Sequence, residues 1–318
     1  MRAWLADFGG GIESLRQVEL DEPVPGVGEV LIQVEIATLN RRDQNVLDGY
    51  YPLPVKPTLV PGCDAVGTIL ATGADCGDLS VGDRVVLAIF PNWSEGAFSM
   101  KVADQLGGSL DGVLRERLCW PASAVIRIPE HLDAVQAASL PCSAVTAWHA
   151  LELMDLQPGQ SVLSTTTGNV SIFAVQFARA NGLIPHLLSA NSDRLRELDS
   201  AGITALHGVP EELADGAVHT FGDVNSTAEL LRVGGRIAFV SPAGSAPVNP
   251  ITLFSRNIDL RAVSLGTVEQ TRKVVDAASR HGIRIPIIDT LGFEDVPRAF
   301  SIQASNAHLG KVAIAVSA

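Results

Sequence analysis

The stretch SVLSTTTGNVSIFAVQFARANG, residues 161–182, has the pattern of a strand, a tight turn and a helix. Its apolar residues return at intervals of three and four, which places one face of the helix against a core. That face consists of Val170, Phe173, Ala174, Phe177 and Ala178. In the turn, Gly168 lets the backbone approach a ligand, and the N–H groups that open the helix point towards a bound phosphate. The pattern predicts one unit of a parallel α/β sheet.

The turn has two interpretations, because it carries one glycine where a dinucleotide-binding turn usually carries two or three. Around Gly168 the chain has Thr166, Asn169 and Ser171, so the spacing G-x-G-x-x-G is absent. In the first interpretation the turn holds a diphosphate, and five consecutive residues contact the cofactor: Thr166, Thr167, Gly168, Asn169 and Val170. In the second interpretation it is an ordinary strand-to-helix turn that binds nothing.

The end of the next predicted strand indicates which dinucleotide would bind. NAD-binding proteins place an Asp or Glu there, about 20 residues after the glycine turn, to bind the ribose hydroxyls. The stretch HLLSANSDRLREL supplies no carboxylate at this strand end, and its predicted cofactor contacts are Ser189 and Asn191, followed by Arg194 and Arg196. Because guanidinium groups pair with a 2′-phosphate, this pattern favours NADP. The alternative is that both arginines are solvated residues of a surface helix.

The pattern of the chain changes near residue 129. Before it, short apolar runs such as GEVLIQVEIATLN and GDRVVLAIF are separated by Gly and Pro, which predicts a β-rich unit. After it, strands and helices alternate, as in a doubly wound parallel sheet. The predicted strands lie at 162–164, 187–188, 218–221 and in GGRIAFVS, and the predicted helices begin at 170 and near 194. Beyond residue 261, the helix EQTRKVVDAASRHG and the strand-like IRIPIID and GKVAIAVS are expected to return to the β-rich unit.

The composition excludes several classes of function. The chain has 318 residues, of which 47% are hydrophobic and 18% charged, which suffices for two domains with their own cores. Its formal charge of −12 and pI near 5.0 leave no basic surface for nucleic acid. No apolar run of about 18 residues and no secretory signal pattern occur, so no membrane association is expected. Since nucleic acid is an unlikely partner of so acidic a chain, a small molecule is the expected one. Four cysteines without CxxC spacing predict reduced thiols and a cytoplasmic protein.

Several segments, in order along nearly the whole chain, resemble the medium-chain dehydrogenase/reductase superfamily. They are TLNRRDQNVLDGYYPLPVKPTLVPGCDAVGTILATG, SVGDRVV, DGVLRERLCWPASAVIRIPEHL, AASLPCSAVTAWHAL, LQPGQSVL, GGRIAFVS and HLGKVAI. The branch that they resemble is the zinc-independent, quinone-oxidoreductase-like one. The resemblance implies an α/β chain of two domains: a GroES-like β-barrel catalytic domain at 1–128, completed by 262–318, and a Rossmann nucleotide-binding domain with a doubly wound parallel sheet at 129–261. It also implies an active site in the cleft, a nicotinamide cofactor and a homodimer.

The resemblance bears on metal binding residue by residue. Zinc-dependent members of the superfamily carry a Cys in the segment matching TLNRRD, Gly-His-Glu in that matching PGCD, and a further ligand in that matching LPCSAVTAW. Here these segments contain Asn40, Cys63 with Asp64, and Cys142. Because an amide binds zinc poorly, we expect no metal, and Cys142 is interpreted as a small core residue.

The resemblance also implies where the reaction takes place. Four residues match catalytic positions that face the cleft: Asn40, Asp43, Tyr51 and Cys63. On the cofactor side, Thr146 matches a position near the nicotinamide, and Asn257 and Lys311 lie in segments near the cofactor or the cleft. Two of these assignments have a structural alternative. Asp43 would serve equally to hold a loop of the barrel through backbone hydrogen bonds, and Lys311 would equally be an exposed charge on the surface.

Without zinc, hydrogen bonds must polarise the substrate, which suits hydride delivery to the β-carbon of a conjugated enone, quinone or enoyl group. The predicted function is therefore an NADPH-dependent, zinc-independent oxidoreductase that acts on an activated C=C bond. The single glycine, and a stretch 202–234 that is shorter than the resemblance implies, leave an alternative. It is a cofactor-free member of the fold that acts as a non-redox cyclase, isomerase or binding protein.

Overall fold

The computed structural model describes residues 1–241 and 247–317, and the chain divides into two compact units. Unit 1 consists of Met1–Cys142, Thr267–Ser279 and Ile287–Ala318, and unit 2 of Ser143–Gly266 and Arg280–Pro286. The border expected from the sequence lay after residue 128, with all of 262–318 in the first domain. The border lies later because the helix Ala134–Ala138 packs on strands of unit 1, where the Thr38 hydroxyl donates to the Ala138 carbonyl at 3.2 Å.

The secondary-structure elements are mostly short. The strands are β1 (Arg2–Asp7), β2 (Arg16–Glu19), β3 (Glu29–Thr38), β4 (Thr58–Leu59), β5 (Asp64–Thr72), β6 (Arg84–Leu87), β7 (Arg117–Pro121), β8 (Val125–Arg127), β9 (Ser161–Ser164), β10 (Ile184–Leu187), β11 (Leu206–His207), β12 (Ala214–His219), β13 (Leu231–Phe239), β14 (Asp259–Ala262), β15 (Ile287–Gly292) and β16 (Lys311–Ala315). The helices are α1 (Arg41–Leu47), α2 (Ala134–Ala138), α3 (Val145–Met154), α4 (Asn169–Ala180), α5 (Ser192–Ser200), α6 (Val224–Glu229), α7 (Pro250–Ser255), α8 (Val268–His281) and α9 (Val296–Ser305). Within the described residues, none of them is long and apolar enough to cross a membrane.

Unit 1 is organised around β3. Val30, Ile32 and Val34 are buried at every second position of this strand, as expected where one face of a strand covers a core. β3 pairs antiparallel with β5, β7 and β16, within a sheet of order β15-β16-β3-β5-β6-β8. A smaller sheet has the order β2-β1-β4. Because β16 pairs with β3, the C-terminal segment returns to the β-rich unit, as predicted.

Unit 2 contains one sheet of parallel strands, and it confirms the predicted doubly wound fold. The strand order is β11-β10-β9-β12-β13-β14. Numbered from the first strand of the unit, this is the order 3-2-1-4-5-6 of dinucleotide-binding folds. On α4, the residues Phe173, Ala174, Phe177 and Ala178 are buried as predicted, while Val170 is half-buried.

From β9 the chain first adds β10 and β11 on one side of the sheet, and it then crosses to add β12, β13 and β14 on the other side. The order of the strands therefore reverses between β9 and β12. In open α/β sheets, ligands bind outside the carboxyl ends of the strands at such a reversal. The turn 165–168 follows β9, and Thr220 follows β12, whose Val218 lies in register with Ser164. These two segments are therefore the place in unit 2 where a dinucleotide is expected.

Candidate active site

A set of polar side chains lies in the interior of unit 1, and we call it the buried polar cluster. Its members are Thr38, Asn40, Arg42, Asp43, Tyr51, Cys63, Asp64, Gln105, Cys142 and Lys311. All are buried except Tyr51, which is half-buried. Polar and charged groups remain in a protein interior only when they are paired, so the hydrogen bonds among them decide what the cluster can do.

Lys311, the first residue of β16, supplies a positive charge inside this cluster. Its side chain is fully buried, and its Nζ donates to Asn40 Oδ1 at 2.6 Å, to Asp64 Oδ2 at 2.8 Å and to Thr38 Oγ1 at 3.4 Å. Three acceptors match the three N–H bonds of an ammonium. Burial is the largest influence and opposes the charge, but Asp64, together with Cys142 and Cys63, outweighs it, and the pKa of Lys311 is raised. The alternative of a surface charge is therefore wrong, and a side chain without exposed surface does not support the predicted contact with the cofactor.

Asn40 joins the start of α1 to Lys311 and Asp64. It is the N-cap residue of α1, and its backbone N–H donates to Asp43 Oδ2 at 2.9 Å. Because an ammonium has only hydrogens to donate, the amide oxygen of Asn40 must face Lys311. Its Nδ2 then donates to Asp64 Oδ2 at 2.9 Å and to Cys63 Sγ at 3.7 Å. The Asp43 carboxylate thus ties the start of α1 through a backbone N–H, which is the structural alternative that the sequence left open. Burial raises the pKa of Asp43.

The cluster contains three metal-type donors, Cys63, Asp64 and Cys142, but their surroundings do not suit zinc. The Lys311 ammonium and the Asn40 amide both bind Asp64 Oδ2. Among residues 1–241 and 247–317, no group of three or more His, Cys, Asp and Glu is placed to hold a metal ion. These residues therefore do not fit a zinc site.

Arg42, Tyr51 and Gln105 form the other part of the cluster. Arg42 Nη2 and the Tyr51 hydroxyl both donate to Gln105 Oε1, each at 2.8 Å. Arg42 Nε donates to the Tyr51 oxygen at 3.3 Å, and the guanidinium carbon lies 4.8 Å from the centroid of the tyrosine ring. Arg42 Nη1 donates to Asp43 Oδ1 at 3.4 Å, which links this part to Asn40 and hence to Lys311.

Arg42 was not among the residues predicted for the site, although the sequence contains a signal for it. Arg42 and Asp43 precede Val46 and Leu47 by four residues, and all four are buried. Residues four apart share one face of a helix, so the apolar pair marks the inward face of α1. Arg41 lies outside that face and is exposed.

The turn after β9 has ordinary backbone angles. Gly168 is the N-cap residue of α4 with φ of −74° and ψ of 166°, which every residue type adopts. A Cβ on Gly168 would meet only the Thr166 hydroxyl, at 3.3 Å. The backbone angles therefore do not require glycine at this position, and any need for glycine comes from a ligand. Of the other predicted contacts, Thr167 is buried, and Asn169 and Val170 are half-buried at the start of α4.

Hydroxyl groups surround this turn, including those of Ser171 and Thr220, which no sequence pattern indicated. Thr166 Oγ1 lies 2.9 Å from Thr220 Oγ1 and 3.3 Å from Ser171 Oγ, and it accepts from the Gly168 N–H at 3.1 Å. The first N–H groups of a helix such as α4 have no partner within the helix. We call residues 165–171 with Thr220 the hydroxyl-lined turn. Hydroxyl and N–H donors of this kind suit phosphate oxygens.

Polar side chains that follow β10 form hydrogen bonds with the backbone at the start of α5. Asn191 is the N-cap residue of α5, and its Oδ1 accepts from the N–H groups of Asp193 and Arg194, each at 3.1 Å. Ser189 Oγ accepts from the Asn191 N–H at 3.1 Å. Arg196 pairs with Asp193 on the exposed face of α5, while Arg194 is half-buried. The predicted cofactor contacts Ser189 and Asn191 thus have a structural use in starting the helix.

The two remaining predicted cofactor contacts lie on other elements of unit 2. Thr146 is a buried residue of α3. Asn257 is exposed after the end of α7, with φ of 50°, and its N–H donates to the Phe254 carbonyl at 3.1 Å. Asparagine tolerates this left-handed conformation better than most residues, which explains Asn257 by the termination of α7.

Comparison with known proteins finds relatives that are named as alcohol dehydrogenases or as similar to them. Residues 26–130 match the family model of the alcohol dehydrogenase GroES-like domain. A zinc-type alcohol dehydrogenase-like protein of Schizosaccharomyces pombe is 31% identical over 96% of each chain. A zinc-type alcohol dehydrogenase-like protein of Leptosphaeria maculans is 30% identical, over 85% of this chain and 84% of its own. The structure of a cobalt- and zinc-bound thermostable alcohol dehydrogenase from Pyrobaculum aerophilum is 28% identical, with a TM-score of 0.84 over 99% of this chain and 100% of that one.

These likenesses cover both units. The GroES-like match falls within unit 1, and the parallel sheet of unit 2 has the strand order of a Rossmann domain. Relatives that are 30% and 31% identical over most of their lengths share the family as well as the fold. The chain therefore belongs to the medium-chain dehydrogenase/reductase superfamily and is an oxidoreductase of that superfamily.

Proposed function

We propose that this chain is an NADPH-dependent reductase that works without zinc and delivers a hydride to the activated C=C bond of an enone, quinone or enoyl compound. The observation that carries the proposal is the buried Lys311 ammonium, which donates to Asp64 and Asn40. A divalent cation beside this ammonium would be repelled, because like charges in an interior interact strongly. The cluster holds an internal cation instead. The competing assignment, suggested by the names of the relatives, is a zinc-dependent alcohol dehydrogenase.

An activated C=C bond suits such a site better than a simple ketone. A hydride that reaches a simple carbonyl leaves the negative charge on the attacked group, where a Lewis acid stabilises it most. A hydride that reaches the β-carbon of an enone moves the charge to a distant oxygen, where hydrogen-bond donors suffice. For this reason we place the chain with the quinone-oxidoreductase-like members of the superfamily.

NADPH is the proposed hydride donor because of two features of unit 2. The reversal of the sheet between β9 and β12 is flanked by the hydroxyl-lined turn, whose hydroxyl and N–H groups suit a diphosphate. After β10 the chain has Ser189 and Asn191 in place of a carboxylate, and Arg194 and Arg196 follow, whose guanidinium groups are of the kind that pairs with a 2′-phosphate. The nicotinamide supplies the hydride when it is bound.

Tyr51 is the proposed acid of the reaction. When the hydride adds to the β-carbon, the electron pair of the C=C bond moves towards the α-carbon and the conjugated oxygen. The O–H bond of Tyr51 then breaks, a C–H bond forms at the α-carbon, and water later returns a proton to the phenolate. Asn40, Asp43 and Cys63 have their polar atoms engaged with one another and with Lys311, so we propose that they position the cluster.

The decisive experiment measures stoichiometry and metal together. The purified chain is incubated with NADPH and 2-cyclohexenone, and we expect one NADPH consumed for each C=C bond reduced, with no loss of rate after treatment with a chelator. Cyclohexanol with NADP⁺ or NAD⁺ is the matched control, and it should turn over far more slowly. One zinc per chain and alcohol oxidation abolished by the chelator would show the zinc-dependent enzyme instead. If neither dinucleotide stabilises the fold, the cofactor-free alternative is correct.

A further inference from the structure

Hydride transfer alone does not explain why Arg42 contacts Tyr51. Arg42 is a buried cation whose nearest carboxylate contact, to Asp43 Oδ1, is long at 3.4 Å. Its shorter bond goes to a neutral amide, Gln105, at 2.8 Å. A buried guanidinium usually has a closer carboxylate, because an unpaired interior charge is costly. The other side-chain partner of Arg42 is Tyr51, whose oxygen lies 3.3 Å from Arg42 Nε.

Arg42 is held against Tyr51 from two sides. Its Nε donates to the phenolic oxygen at 3.3 Å, and its guanidinium carbon lies 4.8 Å from the centroid of the ring. Gln105 Oε1 accepts from both Arg42 Nη2 and the Tyr51 hydroxyl, so one amide fixes both groups. Gly108 covers the guanidinium closely, since a Cβ there would lie 2.9 Å from Arg42 Nη2. Arg42 thus has little freedom to leave the tyrosine.

We propose that Arg42, fixed by Gln105, is a positioning residue that makes Tyr51 a competent acid by stabilising the phenolate left after proton transfer. The inference rests on the proposed function, in which Tyr51 protonates the α-carbon. In that step the Tyr51 O–H bond breaks and its electron pair stays on the phenolic oxygen. That oxygen then accepts a charge-assisted hydrogen bond from Arg42 Nε, which is stronger than the bond to the neutral hydroxyl.

The other groups that face Tyr51 act in the opposite direction. Burial raises the pKa of Tyr51, and Cys142 and Cys63 raise it further, whereas Arg42 lowers it. Gln105 is neutral. Arg42 on α1 is therefore the member of this set that favours the phenolate, and its removal should leave Tyr51 a weaker acid.

The chain contains two tyrosines, which makes the inference directly measurable. The side chain of Tyr50 is exposed, so Tyr50→Phe leaves Tyr51 as the single tyrosine whose ionisation appears in the near-ultraviolet absorbance. In this background, Arg42→Met should move the titration midpoint to higher pH. Arg42→Lys keeps a buried cation and should give an intermediate midpoint, which also provides a test if the methionine variant does not fold. Arg41→Met, on the exposed side of the same helix, is the matched control and should leave the midpoint unchanged.

Kinetics on 2-cyclohexenone with NADPH give the second readout. We expect kcat of Arg42→Met to fall by about 10- to 100-fold, with KM nearly unchanged and the alkaline limb of the pH profile displaced to higher pH. An unchanged midpoint in both Arg42 variants, in an enzyme that still reduces the enone, would overturn the inference and leave the proposed function standing. A displaced midpoint without NADPH-dependent reduction in any form would support the tuning contact and defeat the proposed function.

Discussion

The buried polar cluster of unit 1 and the hydroxyl-lined turn of unit 2 place polar groups in opposite ways. The cluster holds charges in an interior, as in the contact of Lys311 with Asn40, whose partners are 271 residues apart in the sequence. The turn uses neutral hydroxyl and backbone groups, such as Thr166 and Thr220, which are 54 residues apart. An interior charge is stable only when its whole set of partners is present, whereas a neutral hydroxyl is not costly to leave in water. Changes in the cluster should therefore appear in stability and rate, and changes in the turn in ligand affinity.

The largest effect should come from Lys311→Met. This variant leaves Asp64 as a buried carboxylate without its cation, which should lower the free energy of unfolding by about 3–5 kcal/mol. Chemical unfolding followed by circular dichroism measures the loss. The control is Lys56→Met, because Lys56 pairs with Asp111 at 2.8 Å on a partly exposed surface, and its loss should cost about 1 kcal/mol or less. Equal losses in the two variants would mean that Lys311 carries no charge in the cluster.

The next effect separates the chemistry of the cluster from its stability. Tyr51→Phe removes the proposed proton donor and should lower kcat for enone reduction by about 100-fold. Stability should change little, because Gln105 Oε1 keeps its bond from Arg42. Tyr50→Phe is the matched control, since Tyr50 is exposed and should retain the rate of the unmodified chain. A Tyr51→Phe variant with full kcat would remove Tyr51 from the reaction.

A change in the turn should move affinity without moving stability. Gly168→Val places a side chain where the diphosphate would approach, and we expect Kd for NADPH to rise by about tenfold or more, equivalent to about 1.4 kcal/mol. The melting temperature without ligand should stay close to that of the unmodified chain, because φ of Gly168 is negative. Gly168→Ala should have an intermediate effect. If neither variant changes the Kd, the turn does not contact the diphosphate.

The smallest effect concerns the choice between the two dinucleotides. Arg194→Ala should reduce the preference for NADPH over NADH by a few-fold, since a partly exposed guanidinium contributes about 1 kcal/mol or less to such a pair. Arg196→Ala should have less effect, because Arg196 already pairs with Asp193. Isothermal titration with both dinucleotides gives the two ratios. Equal affinities for NADPH and NADH in the unmodified chain would contradict the prediction.

The same comparison explains how much the sequence revealed. The helix α4 and the parallel sheet were predictable because their signals are periodic and local, as with Phe173 and Phe177. The resemblance to the superfamily was also visible in the sequence, because short segments that match it follow one another in order along the chain. The position of Gly168 in the turn was also predictable, but its backbone angles were not, since they depend on the N-cap geometry of α4.

The interior of unit 1 was harder to predict. Lys311 precedes an apolar strand in the sequence, and a lysine there is usually exposed, so only the pairing of β16 with β3 shows that it reaches Asn40 and Asp64. Gln105 gave no signal, because its partner Arg42 lies 63 residues away. The inward face of α1 indicates that Arg42 is buried. However, Arg41 and Arg42 are adjacent, and the sequence does not show which of the two lies on that face until the start of the helix is known.

The pairing of β16 with β3 has a consequence for the order in which the protein is made. All of unit 2 lies between Asp64 and Lys311 in the chain, so a ribosome delivers the carboxylate long before the cation. Until β16 emerges, burial of Asp64 would be unfavourable by several kcal/mol, and the sheet around β3 stays open. The strands of unit 2 follow one another closely and can assemble during translation. Until β16 has been synthesised, residues 36–38 of β3 therefore lack the strand that pairs with them in the folded protein.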